Sequence, residues 1–147
     1  MSCPSVSCTK LVPLDAVIAD FMAGAVEWLT PDNDADHWDL IEGQGSLFHI
    51  SYSGVTMALI HGGQPDALVL CHEPVRQHMR GLPGYALPSL EALRDLALSV
   101  ARVANPACEV VGVSINTQAM AEAEALDYLA KVEAEMGLPA TDPFRFG

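Results

Sequence analysis

Positive charge is scarce in this chain: seven Lys and Arg stand against nineteen Asp and Glu among 147 residues, a formal net charge of −12. Phosphate-backbone binding needs clustered Lys and Arg, so nucleic acid is excluded as a partner and anionic membrane surfaces are disfavoured. A small anionic substrate is compatible, because a few local cations hold it whatever the net charge. No apolar run approaches the ~20 residues that span a bilayer. The segment Met1 to Lys10 lacks the charged and apolar regions of a secretory signal, which makes the cytoplasm the expected location. Cysteine is sparse too. Cys3 and Cys8 are separated by four intervening residues rather than the two of common zinc and redox pairs, and Cys71 and Cys108 sit in apolar strand contexts. All four read as reduced, structural thiols. No two histidines share a helical i, i+4 register beside an acid, so no metal-ligand set is assigned. Nowhere does a Gly-x-x-x-x-Gly-Lys-Ser/Thr phosphate loop occur.

Half of the residues are apolar and 18% are charged, the profile of a globular chain long enough for one domain with its own core. Its most informative stretch is Trp38-Asp39-Leu40-Ile41-Glu42-Gly43-Gln44-Gly45-Ser46-Leu47-Phe48-His49. It reads as a buried strand, His37 to Glu42, running into a glycine loop. That arrangement puts a carboxylate at the carboxyl edge of a sheet, where α/β proteins bind their ligands. Similar junctions follow at Leu68 to Pro74 and at Val111 to Thr117.

Periodicity organises the rest. Leu14, Val17, Ile18, Phe21, Ala25, Trp28 and Leu29 follow helical spacing up to Pro31. A short helix is expected over Val55 to His61, a strand over Ala67 to Cys71 and a third strand over Glu109 to Ile115. His72 to Pro88, broken by Pro74, Gly81, Pro83, Gly84 and Pro88, reads as a long loop. Ser89 suits an N-cap with Glu91 in the first turn, and Leu90, Leu93, Ala97 and Val100 make the buried stripe of that helix. A last helix runs from Gln118 to Met136, with Gly137 as its cap. Strands separated by helices imply an α/β fold, a parallel sheet with helices on both faces. Glu42, His72 and Asn116 should then line one crevice at the carboxyl ends of the strands.

These segments resemble the C-terminal part of a bacterial and archaeal family long classed as a domain of unknown function, some members of which are D-glutamate N-acetyltransferases. The match is carried by Asp15 to Trp28, Glu42 to His49, Ser53-Gly54-Val55-Thr56, His61 to Pro74, Arg80 to Tyr85 and Val113 to Thr117. It covers about residues 12 to 144, and residues 1–11 match nothing. The resemblance implies a P-loop NTPase-like domain of dethiobiotin-synthetase-like architecture, preceded in the family by a Rossmann-like domain. The phosphate-loop strand would lie between the Glu42 and Ala67 strands. Neither it nor the preceding domain is in this sequence, so the chain reads as a truncated product needing that domain, or a second copy, as a partner.

Glu42 stands where P-loop proteins keep the acid that holds Mg²⁺ through water or positions a nucleophile; alternatively it braces the Gly43-Gln44-Gly45-Ser46 loop. By the resemblance Asn116 reads a purine base, and by its residue type it equally suits a helix N-cap. His72, Glu73, Arg76, His78 and Arg80 crowd one edge of the long loop. Arginine binds carboxylate or phosphate in bidentate fashion, and a histidine beside an acid can take a proton from an amine. His49 is a further candidate for the crevice wall. The resemblance implies acetyl transfer from acetyl-CoA to an acidic D-amino acid, and on their own chemistry Glu42 and His72 are the expected catalytic pair. Gly43, Gln44, Gly45, Ser46, His49, Glu73, Arg76, Arg80 and Asn116 would be the binding residues, with no metal. A Mg-nucleotide is less favoured without the phosphate loop, whose amides and lysine make most phosphate contacts. The chain alone is expected to be inactive. The competing readings are a nucleotide-binding or structural module, and an unstable remnant.

Overall fold

Two apolar strands hydrogen-bonded in parallel form the centre of the molecule. The computed structural model describes residues 12–146, so Cys3 and Cys8 lie outside the described part. Strand β1, Ala67–His72, pairs along its whole length with β4, Glu109–Ile115, from Ala67 opposite Glu109 to His72 opposite Ile115. A bulge between Leu68 and Val69 adjusts the register. The short β5, Ala140–Thr141, adds in parallel to the far side of β4, giving the order β1-β4-β5. The expected strands at 67 and 109 are therefore present and parallel, as their separation by a helix requires.

Helix α3, Leu90–Ala101, opens on the expected cap: the Ala92 amide donates to the Ser89 hydroxyl at 3.2 Å. Its Ala97 joins Leu70, Val113, Ile115, Leu129, Val132 and Met136 in the core. The last three belong to α4, Glu122–Met136, which ends at Gly137 in the left-handed conformation (φ 65°) that glycine adopts without strain. α4 starts four residues later than its apolar pattern implies, because residues 117–120 are tied to the C-terminal segment. The N-terminal helical pattern also divides. Leu14–Ala16 forms a 3₁₀ turn, the adjacent β-branched Val17 and Ile18 take extended backbone, and α1 occupies Ala19–Leu29.

Residues 37–42 form no strand, which corrects the expectation of a third core strand there. A strand exists only where a neighbour supplies its ladder, and among the described residues β1 pairs on one side only. Between its other edge and this segment lies a groove of about 1970 Å³. It lies where the resemblance puts the phosphate-loop strand. Trp38 and Leu40 are 81% and 92% exposed, so the apolar run that suggested a buried strand has nothing to bury against. Val69 of β1 and Val111 of β4 are open to the same groove. The region 72–88 likewise departs from a plain loop. It holds a hairpin, β2 at His78–Met79 and β3 at Leu82–Ala86, turning through Gly81 at φ 74°.

Helix α2, Ser53–Gly63, is longer than the expected Val55 to His61 and runs through both glycines that were expected to stop it. Its close packing on α1 explains why. A Cβ on Gly62 would stand 2.2 Å from the Ala23 carbonyl oxygen and 2.6 Å from Val26 Cβ, so only glycine permits this approach. Gly62→Ala is expected to destabilise the fold by about 1–3 kcal/mol, the usual range for overpacking, read as a lower midpoint in urea unfolding. Gly54→Ala, where nothing lies within 4 Å of the new methyl, serves as the control and is not expected to lower it.

Candidate functional site

The site is built where β1 and β4 end together. The Asn116 amide donates to the His72 carbonyl at 2.8 Å, carrying the ladder one step past the strands and setting the two residues side by side. The Asn116 side chain does not cap α4, whose N-cap is Ala121; its Oδ1 accepts from the Gln118 amide at 3.0 Å. Its amide nitrogen makes no hydrogen bond among the described residues.

His72 is half-buried. Its Nε2 lies 3.0 Å from the Tyr128 hydroxyl of α4, with the two rings near-parallel at 21° and 6.2 Å between centroids. Burial lowers the imidazole pKa and the neighbouring Glu73 carboxylate partly restores it, leaving His72 neutral at physiological pH. Among the described residues Nδ1 has no hydrogen-bond partner. Glu73 is ion-paired with Arg76 three residues on. Arg80, at the hairpin turn, makes no ion pair among the described residues.

Opposite β1 stands the glycine loop, held from α2 by one hydroxyl. Thr56 Oγ1 donates to the Gly45 carbonyl at 2.8 Å and accepts from the Gly45 amide at 3.3 Å. The Gly45 amide is thus occupied. No hydrogen bond engages the amides of Gly43, Gln44 or Ser46 among the described residues. Glu42 comes close enough to β1 for its charge to act on Cys71, whose thiol is pushed up first by burial and then by that carboxylate. His49 is buried, with both ring nitrogens on backbone groups: the Ser51 amide donates to Nδ1 at 3.2 Å and Nε2 lies 3.0 Å from the Arg80 carbonyl. Since Nδ1 accepts, Nε2 carries the proton and donates. His49 therefore ties the glycine loop to the arginine hairpin.

One groove is lined by Glu42, Gly43, Gln44, Gly45, Ser46, His49, His72, Glu73, Arg76, Arg80 and Asn116. Glu42, His72 and Asn116 thus share one crevice although residues 37–42 are not a strand. Among the described residues no three His, Cys, Asp or Glu side chains are placed to hold a metal ion. No helix there is long and apolar enough to cross a membrane.

Behind the Asn116 loop is a buried polar centre that the sequence did not flag. Asp142, 1% exposed, accepts through Oδ2 from the Thr117 amide at 3.0 Å and from the Thr117 hydroxyl, and through Oδ1 from the Phe144 amide at 2.9 Å. Arg145 donates to the carbonyls of Thr117 at 3.0 Å and Met120 at 2.7 Å. Together they hold residues 117–120, and so the position of Asn116. A separate cavity of about 200 Å³ opens beside them, walled by Asn116, Gln118, Asp142, Pro143 and Phe144 among others. Tyr128 and Thr56 were missed as well. An isolated Tyr in a helical stripe and a Thr inside a helix carry no local signal of the partners that packing gives them.

The chain belongs to the family described as "Domain of unknown function (DUF1611_C) P-loop domain", which matches residues 6–147. It is thus a parallel α/β domain of the P-loop class. It is 73% identical over 136 residues to a protein of Tritonibacter scottomollicae named D-glutamate N-acetyltransferase, and 46% identical over 136 residues to one of the same name from Pseudoalteromonas sp. Each match covers 92% of this chain and 41% of the relative. The crystal structure of a DUF1611 family protein from Anabaena variabilis superposes with a TM-score of 0.80 at 39% identity, over 94% of this chain and 41% of that one. The chain thus spans about two fifths of the length of the relatives it matches.

The Asp142 centre makes a pH prediction. The Thr117 hydroxyl, with the amides of Thr117, Phe144 and Arg145, holds the Asp142 carboxyl below its usual range against the opposing effect of burial. A carboxylate depressed on folding stabilises the folded state above the unfolded value of about 3.9 and loses that contribution as pH falls through the folded value. Asp142→Asn is therefore expected to be less stable than the parent at pH 7, and the difference should shrink below about pH 4. Urea unfolding at stepped pH measures it.

Proposed function

We propose that this chain forms the amine-acceptor side of an acetyltransferase site, in which acetyl-CoA acylates the amine of an acidic D-amino acid. What carries the reading is the neutral imidazole of His72, its Nδ1 unpartnered among the described residues, on a groove shared with Arg80 and the glycine loop. The names of the two curated relatives supply the substrate class.

In this mechanism His72 takes one proton from the substrate ammonium. The freed nitrogen lone pair bonds to the thioester carbonyl carbon, and the tetrahedral adduct collapses as the carbon–sulfur bond breaks. The thiolate leaves, and the second amine proton released balances its charge as the thiol. The amides of Gly43, Gln44 and Ser46 are suited to the oxyanion, because none is engaged among the described residues and the Thr56 staple fixes the loop that bears them. Arg80, with Arg76 sharing its charge with Glu73, draws in the substrate carboxylates. Glu42 orients the ammonium. In a protein of net charge −12, this pair of arginines is what makes the groove hospitable to a substrate with two carboxylates. Asn116, through its free amide nitrogen, contacts the acetyl donor, and His49 holds the two walls together.

The groove is wider than this chemistry needs. We take the span between β1 and residues 37–42 to be filled, in the working protein, by chain beyond this sequence, consistent with coverage of only 41% of the relatives. Catalysis needs both reactants in register, and a displacement of about 1 Å costs on the order of a hundredfold.

Acetyl transfer from acetyl-CoA to D-glutamate is expected at background for this chain alone. It should be restored when the sequence replaces the corresponding segment of the Tritonibacter scottomollicae relative. In that graft His72→Gln should lower kcat by at least about a hundredfold. Robust turnover by the 147-residue chain overturns the dependence on further chain, and a folded graft without activity overturns the acetyltransferase reading.

A further inference from the structure

The hydrogen bond between His72 and Tyr128 joins two residues fifty-six positions apart, and it decides what His72 can do. A neutral imidazole carries its proton on one nitrogen only. If the Tyr128 hydroxyl donates to Nε2, the proton sits on Nδ1 and His72 offers the groove a donor. If Nε2–H donates to the Tyr128 oxygen, Nδ1 keeps its lone pair and His72 offers a base.

We propose that Tyr128 is a positioning residue: its oxygen accepts from Nε2–H, fixing the tautomer that leaves the Nδ1 lone pair toward the groove. This rests on the proposed role of His72 as base and deepens it.

The surroundings make Tyr128 the partner through which this choice is made. The rings are near-parallel, so α4 constrains the plane of the imidazole as well as one of its nitrogens. Tyr128 titrates above the usual tyrosine value, because of burial and then the Glu135 carboxylate, so it stays a neutral phenol throughout the working pH range. A phenol oxygen accepts while its own proton turns elsewhere. The other charges around His72 are few. On its own turn stand Glu73 and the Arg76 paired with it, and the glycine loop across the groove brings Glu42, felt at the neighbouring Cys71. Ser114 and Ile115 of β4 alongside, and Asn116 just after them, carry no ionisable group. None of these groups is hydrogen-bonded to the imidazole, which leaves Tyr128 as its one hydrogen-bond partner among the described residues.

The two arrangements have opposite consequences. A hydrogen bond from a charged donor is stronger than one from a neutral donor, so a Tyr128 oxygen accepting from Nε2–H stabilises the imidazolium and raises the His72 pKa. A Tyr128 hydroxyl donating to Nε2 stabilises the neutral ring and lowers it.

The test is nitrogen-15 NMR of the whole 147-residue chain, uniformly labelled, titrated across pH 5 to 8. The expected spectrum of neutral His72 shows Nε2 protonated and Nδ1 bare. In Tyr128→Phe, which keeps the ring, the His72 midpoint should fall by about half a unit to one unit. A bare Nε2 in the parent chain overturns the proposal without any variant being needed. A rise in the midpoint of a folded Tyr128→Phe overturns it equally. Failure of the catalytic reading shows elsewhere: in the acetyl-transfer graft, His72→Gln would then keep its activity while the tautomer in the parent stayed as proposed.

Discussion

The parallel pairing of β1 with β4 is the constraint on which the rest of the domain depends. Its register brings His72 opposite Ile115, and the following amide of Asn116 onto the His72 carbonyl. A slip of one strand by one residue would turn its core side chains to the opposite face, Leu70 in β1 or Val113 and Ile115 in β4. That cost fixes where the strands stop, and so fixes the pair of polar residues at their ends. Everything distal to the strands is then held by side chains: Thr56 on the glycine loop, His49 on the arginine hairpin, and Asp142 with Arg145 on the Asn116 loop.

Three of these four brace residues are themselves buried, and each fixes loop backbone at the groove through a hydrogen bond. His49 illustrates how residue type alone misleads. A histidine beside a glycine loop invites a chemical role, yet both of its nitrogens serve backbone groups. His72 is a histidine of the same kind by sequence. With one nitrogen on Tyr128 and the other unpartnered among the described residues, it retains the freedom that chemistry requires.

The sequence was most legible where local chemistry and tertiary environment agree. The Ser89 cap, the Gly137 stop and the apolar runs at 67 and 109 each need only their own neighbours to be interpreted. It was least legible where a partner decides. Residues 37–42 carry a strand's composition but no strand beside them, and composition records a propensity, not the presence of a ladder. Gly62 and Gly63 look like a helix terminator, and the closeness of α1 makes Gly62 a packing surface instead. β5 is only two residues long, and its backbone pairing with β4 gives no hydrophobic period to detect. Of the candidate site, the sequence named residues and not the contacts that position them. All of them line the groove, while Thr117, Asp142, Arg145 and Tyr128, which set its geometry, contact it through partners far along the chain.

The side of β1 that has no partner strand among the described residues has one more consequence, for how the chain behaves in company. A strand edge with free amides and carbonyls is a template for any other extended chain, and Ala67-Leu68-Val69-Leu70-Cys71 offers no charge to discourage it. Natural edges are commonly blunted by proline or lysine. Here Pro65 precedes the strand and Pro74 follows it, so neither end of the edge can be lengthened as a continuous ladder. Proline at both boundaries confines the open edge to a stretch of six residues, short enough to lower the risk of recruiting copies of itself.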